Sequence, residues 1–553
     1  MCDSSHVCLN RLFYTHSAGR IYLSGFCMDD RFDETVQKRK KKKRRISSRF
    51  FYLLLVVSSV LFFYTFYKMP MFPLKWSLIA GGVLVVMLLV TGFFTMKLKP
   101  GNFFQKSVNV LLACVLFAGS VLLPYEESKI SALFESVTGT TVRINVYVLT
   151  DTYKNSHPES FDETNTLYFD EGMSKDDFQT YGDYLIYGTT LSLDKESQKY
   201  ALDEINKLSG TEVKTVDEKS LNKSVDDLYA NSIDLLVMAE SYASVVEDTP
   251  GYESFSTDTE VVYTFERTME NSFNNPFETS LTRKPFIVFF GGNDQTGSLS
   301  LQGRTDVDMV VAGNPDSHQI AIINLPRDSY IPNPDYDGSY DKLTHLGLTG
   351  LDNTLEGISN LLNEDVESYV LVNFDTYQKI IEALGGVTVN NPYEFTAIDG
   401  EYFPAGNIDL TPESALMYVR ERYSLPGGDF DRNMHQQLVM QAMIQKITSP
   451  EGIVHFNEIL DNVKDCFLTN LSSKSIYSLV SKQLDENISW NIVKYHVEGL
   501  TGEEECASAP GQYLSVVYPY ENQISFVSGV IDNLYAGDIL NQEELPEGEE
   551  ERL

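Results

Sequence analysis

The chain has 553 residues, of which 43% are hydrophobic and 22% charged, so it has room for two or three folded domains and is neither a disordered nor a low-complexity sequence. Its net charge of −35 is unevenly divided: residues 1–106 hold 17 Lys/Arg against 5 Asp/Glu, and the rest hold 26 against 73. Two parts of opposite sign face different surroundings, and six cysteines are too few to staple a fold of this size.

The run KRKKKKRR (Lys38–Arg45) comes first, followed by three apolar stretches without a charged residue at 50–67, 77–96 and 107–123. About 20 helical residues cross a bilayer, and basic or aromatic flanks extend a slightly shorter stretch. The positive-inside rule keeps Lys38–Arg45 and the basic loop KLKPGNFFQK (97–106) in the cytoplasm. Three crossings then put everything after about Pro124 outside. The expected localisation is therefore the cell membrane, multi-pass, with a cytoplasmic N-terminus. The basic run is read as this topology signal and not as a nucleic-acid site. Of the cysteines, only Cys466 and Cys506 fall on the external side in this reading, and their pairing is left open.

From 124 to 284 the pattern predicts a smaller α/β accessory domain. VRINVYVLT alternates as a strand, SLDKESQKYALDEINKLSG has helical spacing and stops at Gly210, and SIDLLVMA reads as a buried strand. A second α/β block spans 285–538. PFIVFFGG, DMVVAG and HQIAIINLP are strand-like, LDNTLEGISNLLN and FDTYQKIIEALGG are helical, and SYVLVN and VTVN are further strands. Strands alternating with helices imply a sheet covered by helices, with ligands at strand ends. The end, NQEELPEGEEERL (within 539–553), reads as a solvated acidic tail. The fold class expected is thus external mixed α/β with a central sheet, an α/β accessory domain before it, and three transmembrane helices.

Charge collects where these strands and helices end: GGNDQTG (Asp294), GRTDVDM (Arg304, Asp306, Asp308), LPRDSY (Arg327, Asp328) and YVRERYSLPGGDFDRNMHQQ (418–437). Singly, each is compatible with a turn or an ordinary ion pair. Jointly they suit a metal-bound diphosphate, because guanidinium forks bind phosphate while carboxylates repel it unless a hard cation bridges them. Thr411-Pro412 is a helix start. On a continuous helix Arg420 and Arg422 would point about 200° apart, so either the helix ends between them or only one meets the ligand. After Gly427-Gly428, Asp429 or Asp431 caps a second helix, on which Arg432 and Gln436 share a face.

These stretches, with DKLTHLGLTG and ALGGVTVN, resemble the catalytic domain of the LytR-CpsA-Psr family of cell-wall polymer ligases over about 285–537. Three spans before an accessory domain resemble its capsular-polysaccharide branch. The resemblance implies a phosphotransferase that moves a capsule- or teichoic-acid-type glycopolymer from a polyprenyl diphosphate to peptidoglycan. It assigns Mg²⁺ to Asp294 and Asp306, the head group to Arg327, Arg420, Arg422, Arg432, Gln436 and Lys342, and an orienting or basic role to Asp429. Asp308 stands where asparagine is common in the family; it either adds a carboxylate to the metal site or faces away. Leu361, Leu362, Val370 and Leu371 are candidates for a prenyl slot, with ordinary core as the favoured alternative. The rival readings are a hydrolase using the same site and a non-catalytic envelope sensor or attenuator.

Overall fold

The computed structural model describes residues 48–69, 71–97, 103–134, 139–161, 175–182, 185–189, 195–217, 221–270, 284–293, 299–463 and 466–549. The basic run, the three N-terminal cysteines and Asp294 lie outside them.

Three helices, α1 (Ser48–Lys68), α2 (Leu74–Lys97) and α3 (Phe103–Phe134), are long and apolar enough to cross a membrane. Each outruns its apolar stretch, and α3 continues through Pro124. The chain divides into two compact units, one of Met1–Val60 with Leu84–Phe117 and one of Leu61–Val83 with Ala118–Leu553. Inside the first, Gln105 donates to Thr95 Oγ1 (3.3 Å) and Asn109 Oδ1 (3.1 Å), and Asn109 donates to Thr95 Oγ1 at 3.1 Å. These amides are buried among apolar side chains and satisfy one another, as polar groups between membrane helices must.

The second unit holds two sheets. The first has the order β3-β2-β4-β1-β5, built from β1 (Gly139–Leu149), β2 (Ile186–Thr189), β3 (Lys214–Asp217), β4 (Leu235–Ala239) and β5 (Thr259–Glu270). Strand β1 runs antiparallel to β4 and β5, and β2 runs parallel to β3 and β4. Helix α4 (Lys195–Ser209) ends before Gly210, whose φ of +71° suits a glycine stop. Helix α5 (Leu221–Tyr229) lays Leu221, Val225 and Leu228 on the sheet at helical spacing.

The main sheet comprises β6 (Phe286–Asn293), β7 (Thr305–Asn314), β8 (Gln319–Leu325), β9 (Tyr369–Asn373), and two later strands, Leu468–Thr469 at one edge and Asn491–His496 beside β8. Strand β7 runs antiparallel to both β6 and β8, while β9 runs parallel to β6. Period-two alternation sorts their side chains. Ile287, Phe289, Val310, Ala312, Ala321 and Ile323 face α6 (Leu351–Leu362) and a C-terminal helix, Glu521–Ala536. Phe290, Met309 and Ile322 face the opposite layer, where α7 (Phe374–Ala383), α8 (Pro412–Arg420) and α9 (Asp429–Thr448) lie.

Three expectations change here. VTVN forms a strand, but it pairs only with Gly406–Leu410, outside the main sheet. The acidic end is docked: Gln542 donates to Lys494 O and accepts from Lys494 N (2.8 Å each), and Leu540 is buried, because a glutamine amide can extend a strand edge that acidic composition does not reveal. The accessory domain is also not closed on itself. Cys506, Ala509, Leu514 and Val516, from the hairpin of Gly499–Cys506 with Ala509–Pro519, enter its core.

Candidate active site

The site forms where β7 begins and β8 ends. Arg327, just after β8, ion-pairs through Nη1 with Asp306 Oδ1, and its Nε lies 3.7 Å from Asp328. Lys342 reaches Asp328 at 3.2 Å from the end of the short strand Tyr340–Lys342. Burial acts to lower the Arg327 pKa, but Asp306 and Asp328 outweigh it and hold the guanidinium above its ordinary value.

The second half comes from α8 and α9. Thr411 caps α8 in a reciprocal pair with Ser414, and the helix ends at Arg420. The buried carboxylate of Glu421 accepts the backbone N–H groups of Arg422 (2.9 Å), Ser424 (3.0 Å) and Ile398 (2.8 Å), which turns the chain. Arg420 and Arg422 therefore do not belong to one helix. Arg420 lies over the Phe374 ring at 4.3 Å, and Arg422 turns back to within 3.9 Å of Asp429. Gly428 takes φ +55°, which favours glycine at the turn, and Gly427 packs against the Asp431 carboxylate, which a Cβ there would meet at 2.8 Å. Asp431 accepts Gly427 N at 2.7 Å, and Asp429 is the first residue of α9.

Arg432 joins the two halves. Its Nη2 is 2.7 Å from Asp429, and Arg327, Asp306 and Arg422 all act on its charge. Burial, only partly offset by Asp429, lowers its pKa. The structure thus brings together Asp306, Arg327, Arg422, Asp429 and Arg432, with Lys342 behind Asp328 and Arg420 on an aromatic platform.

Gln436 differs from expectation. It shares the helix face with Arg432, but its amide is spent holding neighbours, accepting from Asn324 (3.4 Å) and donating to Val419 O (3.4 Å). It lines one end of a narrow apolar cavity with Phe290, Met309, Phe374, Val419 and Met440. This cavity, and not one walled by the four leucine and valine positions, lies next along α9 from Arg432. Leu362 and Leu371 are ordinary core, with Leu361 packed on the same cluster and Val370 on the sheet's other face. Spacing cannot separate core from cavity wall, since both are apolar.

Sequence reading also missed His496, at the end of its strand. Asn433 Nδ2 lies 3.2 Å from Asp429 Oδ2 and 3.4 Å from His496 Nε2. Burial lowers His496 to about 4, with Asp429 opposing. No motif contains it; the parallel register with β8 brings it there. Two other histidines are structural. His435 stacks on Tyr418 at 4.0 Å, and burial lowers it to about 4. His345 is bound to Asp341 at 3.0 Å, and Ser508 donates to the same carboxylate. Asp341, His345 and Cys506 approach one another, but Asp341 also accepts Lys342 N, Ser508 N and Asn333 Nδ2, leaving its oxygens fully occupied. Cys466 and Cys506 are buried in different hydrophobic clusters, so they do not pair with each other.

For a metal, the donor set is all-oxygen, as Mg²⁺ requires. Asp306 Oδ1 faces Arg327, while its Oδ2 makes no hydrogen bond among the described residues, so one carboxylate oxygen at the strand end suits a cation. Asp308 is different. It is buried, accepts from Thr305 Oγ1 at 2.5 Å, and burial pushes its carboxyl up to about 8.

A family model described as the LytR_cpsA_psr family matches residues 252–514. A curated relative from Bacillus anthracis, named polyisoprenyl-teichoic acid–peptidoglycan teichoic acid transferase TagU, is 33% identical over 227 residues, 41% of this chain and 73% of that protein. One of the same name from Enterococcus faecalis is 35% identical over 193 residues, 34% of this chain and 63% of that protein. The crystal structure of B. subtilis TagV matches 46% of this chain and 99% of its own, with 24% identity and a TM-score of 0.40.

Proposed function

The chain belongs to the LytR_cpsA_psr family, and from that premise we propose that it is a membrane-anchored phosphotransferase carrying an anionic glycopolymer from a polyprenyl diphosphate to peptidoglycan. The observation that carries the reading is the cluster of Arg327, Arg422 and Arg432, with an apolar cavity that begins at Gln436, one turn along α9 from Arg432. A cationic cluster beside a dry slot fits an amphiphile with an anionic head. The polymer is of capsular or teichoic-acid type.

In the proposed reaction a peptidoglycan sugar hydroxyl attacks the phosphorus nearer the glycan. A new P–O bond forms, the bond to the bridging oxygen breaks, and polyprenyl phosphate leaves with the electron pair and takes up the proton released by the hydroxyl. Arg327 and Arg432 stabilise charge on the bridging and leaving oxygens, where charge-assisted hydrogen bonds are strongest. Asp429 orients Arg432, and Arg422 approaches from the turn. Asp306, with Asp294 as the second ligand, would hold Mg²⁺, which supplies charge neutralisation at the diphosphate. The catalytic block lies outside the cell, where the acceptor wall is.

The test uses the full-length protein in vesicles with a lipid-linked glycopolymer and peptidoglycan. Expected products are wall-bound polymer and polyprenyl monophosphate in equal amounts. Free polymer without wall attachment would make it a hydrolase, and no turnover with intact head-group binding would favour the sensor reading.

A further inference from the structure

A second apolar cavity, of about 290 Å³, lies on the same sheet face as the first. Its walls include Phe286, Val288, Phe290, Met440, Phe456 and Val480, and it shares Phe290 and Met440 with the cavity beside Gln436. Strand β6 runs along both. At ~3.3 Å per residue its eight residues reach roughly 23 Å, from the far mouth to the arginines.

That far mouth has a neighbour within the same compact unit. Met71, in the turn between α1 and α2, packs against the cluster of Phe456, Leu460, Tyr477 and Val480. Two of those four residues also line the cavity. The turn is held in shape by Phe72 stacked on Phe66, with centroids 4.5 Å apart, and by Lys75 Nζ at 2.7 Å from Asp485 Oδ1. The link between the first two membrane helices therefore sits at the far end of these two adjoining apolar cavities, away from the head-group site.

We infer that residues 71–75 form a doorway that seats this mouth against the bilayer, so that a polyprenyl chain passes from lipid to the arginines without crossing water. The inference rests on the transferase reading. The chemistry favours it: a long isoprenoid chain exposed between membrane and cavity would carry a large hydrophobic penalty, and a dry contact at the mouth removes it. Methionine suits the position because its flexible, polarizable side chain fills irregular gaps.

The experiment uses the full-length protein in lipid nanodiscs with two probes, a long-chain polyprenyl diphosphate embedded in the disc and geranyl diphosphate added from water. Met71→Asp should weaken long-chain binding by about tenfold or more while leaving geranyl diphosphate within about twofold, and Met71→Leu should preserve both. Retained geranyl diphosphate binding shows that the variant is folded. Separately, Met71→Cys with Leu460→Cys should crosslink on oxidation, whereas Met71→Cys alone should not. Unchanged long-chain binding in Met71→Asp, equal loss of both probes, or no crosslink overturns the doorway. If the unaltered protein binds neither probe, the transferase reading fails and the doorway with it, while a missing crosslink alone sinks only the doorway.

Discussion

Replacing Arg432 by alanine should be the most damaging single change among the arginines of the α8–α9 turn. The guanidinium is largely buried, with its side chain 12% exposed, and lies 2.7 Å from Asp429. Each charge-assisted hydrogen bond to a diphosphate contributes about 1.5–3 kcal/mol, so losing one lowers affinity about tenfold to a hundredfold. Removing Arg432 also leaves Asp429 facing the diphosphate with only Arg422, at 3.9 Å, to offset it. The loss should therefore fall at the upper end. Arg422 is 46% exposed, so solvent screens its contribution and its loss should sit at the lower end. Arg420 keeps its platform on Phe374 and should differ measurably from Arg422. Arg432→Lys retains charge without the planar fork and should rescue only part of the loss. The assay is titration of the full-length protein with a polyprenyl diphosphate analogue, with circular dichroism to check folding. Wild-type affinity in both Arg432→Ala and Arg420→Ala would refute the reasoning, as would a smaller loss in Arg432→Ala than in Arg422→Ala.

Asp306→Ala should abolish Mg²⁺-dependent activity, whereas Asp308→Asn should stay within about threefold, because a buried carboxyl titrating near 8 already carries its proton at pH 7; equal damage from both would show that the ligands are wrongly chosen. Folded His435 resists protonation until about pH 4, so its contribution is complete above about pH 6.5 and is lost as pH falls towards 4, at most about 3 kcal/mol. Thermal unfolding at pH 7 and 4.5 should show this loss, and His435→Phe, which keeps the ring stack, should flatten part of it; identical pH slopes in the two proteins would contradict the assignment. For topology, a reporter fused at 138 should be active outside the cell and one at 101 should remain inside; an inside signal at 138 would misplace the whole site.

The sequence by itself determined most of the elements and which charged residues collect at their ends. Long apolar runs marked α1, α2 and α3, and short apolar runs bounded by polar or turn residues marked β6 to β9, because run length and local punctuation follow the geometry of each element. Thr411-Pro412 and Gly427-Gly428 announced the starts of α8 and α9 for equally local reasons, a cap and a turn with positive φ. Spacing even exposed the conflict between Arg420 and Arg422. It could not choose its resolution, which depends on Glu421 binding an N–H group as far away as Ile398. Tertiary structure alone decided which apolar residues line a slot and which fill the core, since Val370 and Phe290 look alike in sequence. It brought His496 beside Asp429 through strand pairing with β8, and docked the acidic end through Gln542. It also passed Cys506 into the accessory core, away from Cys466. Those outcomes depend on contacts between residues far apart in the chain, and a local period carries no record of such contacts.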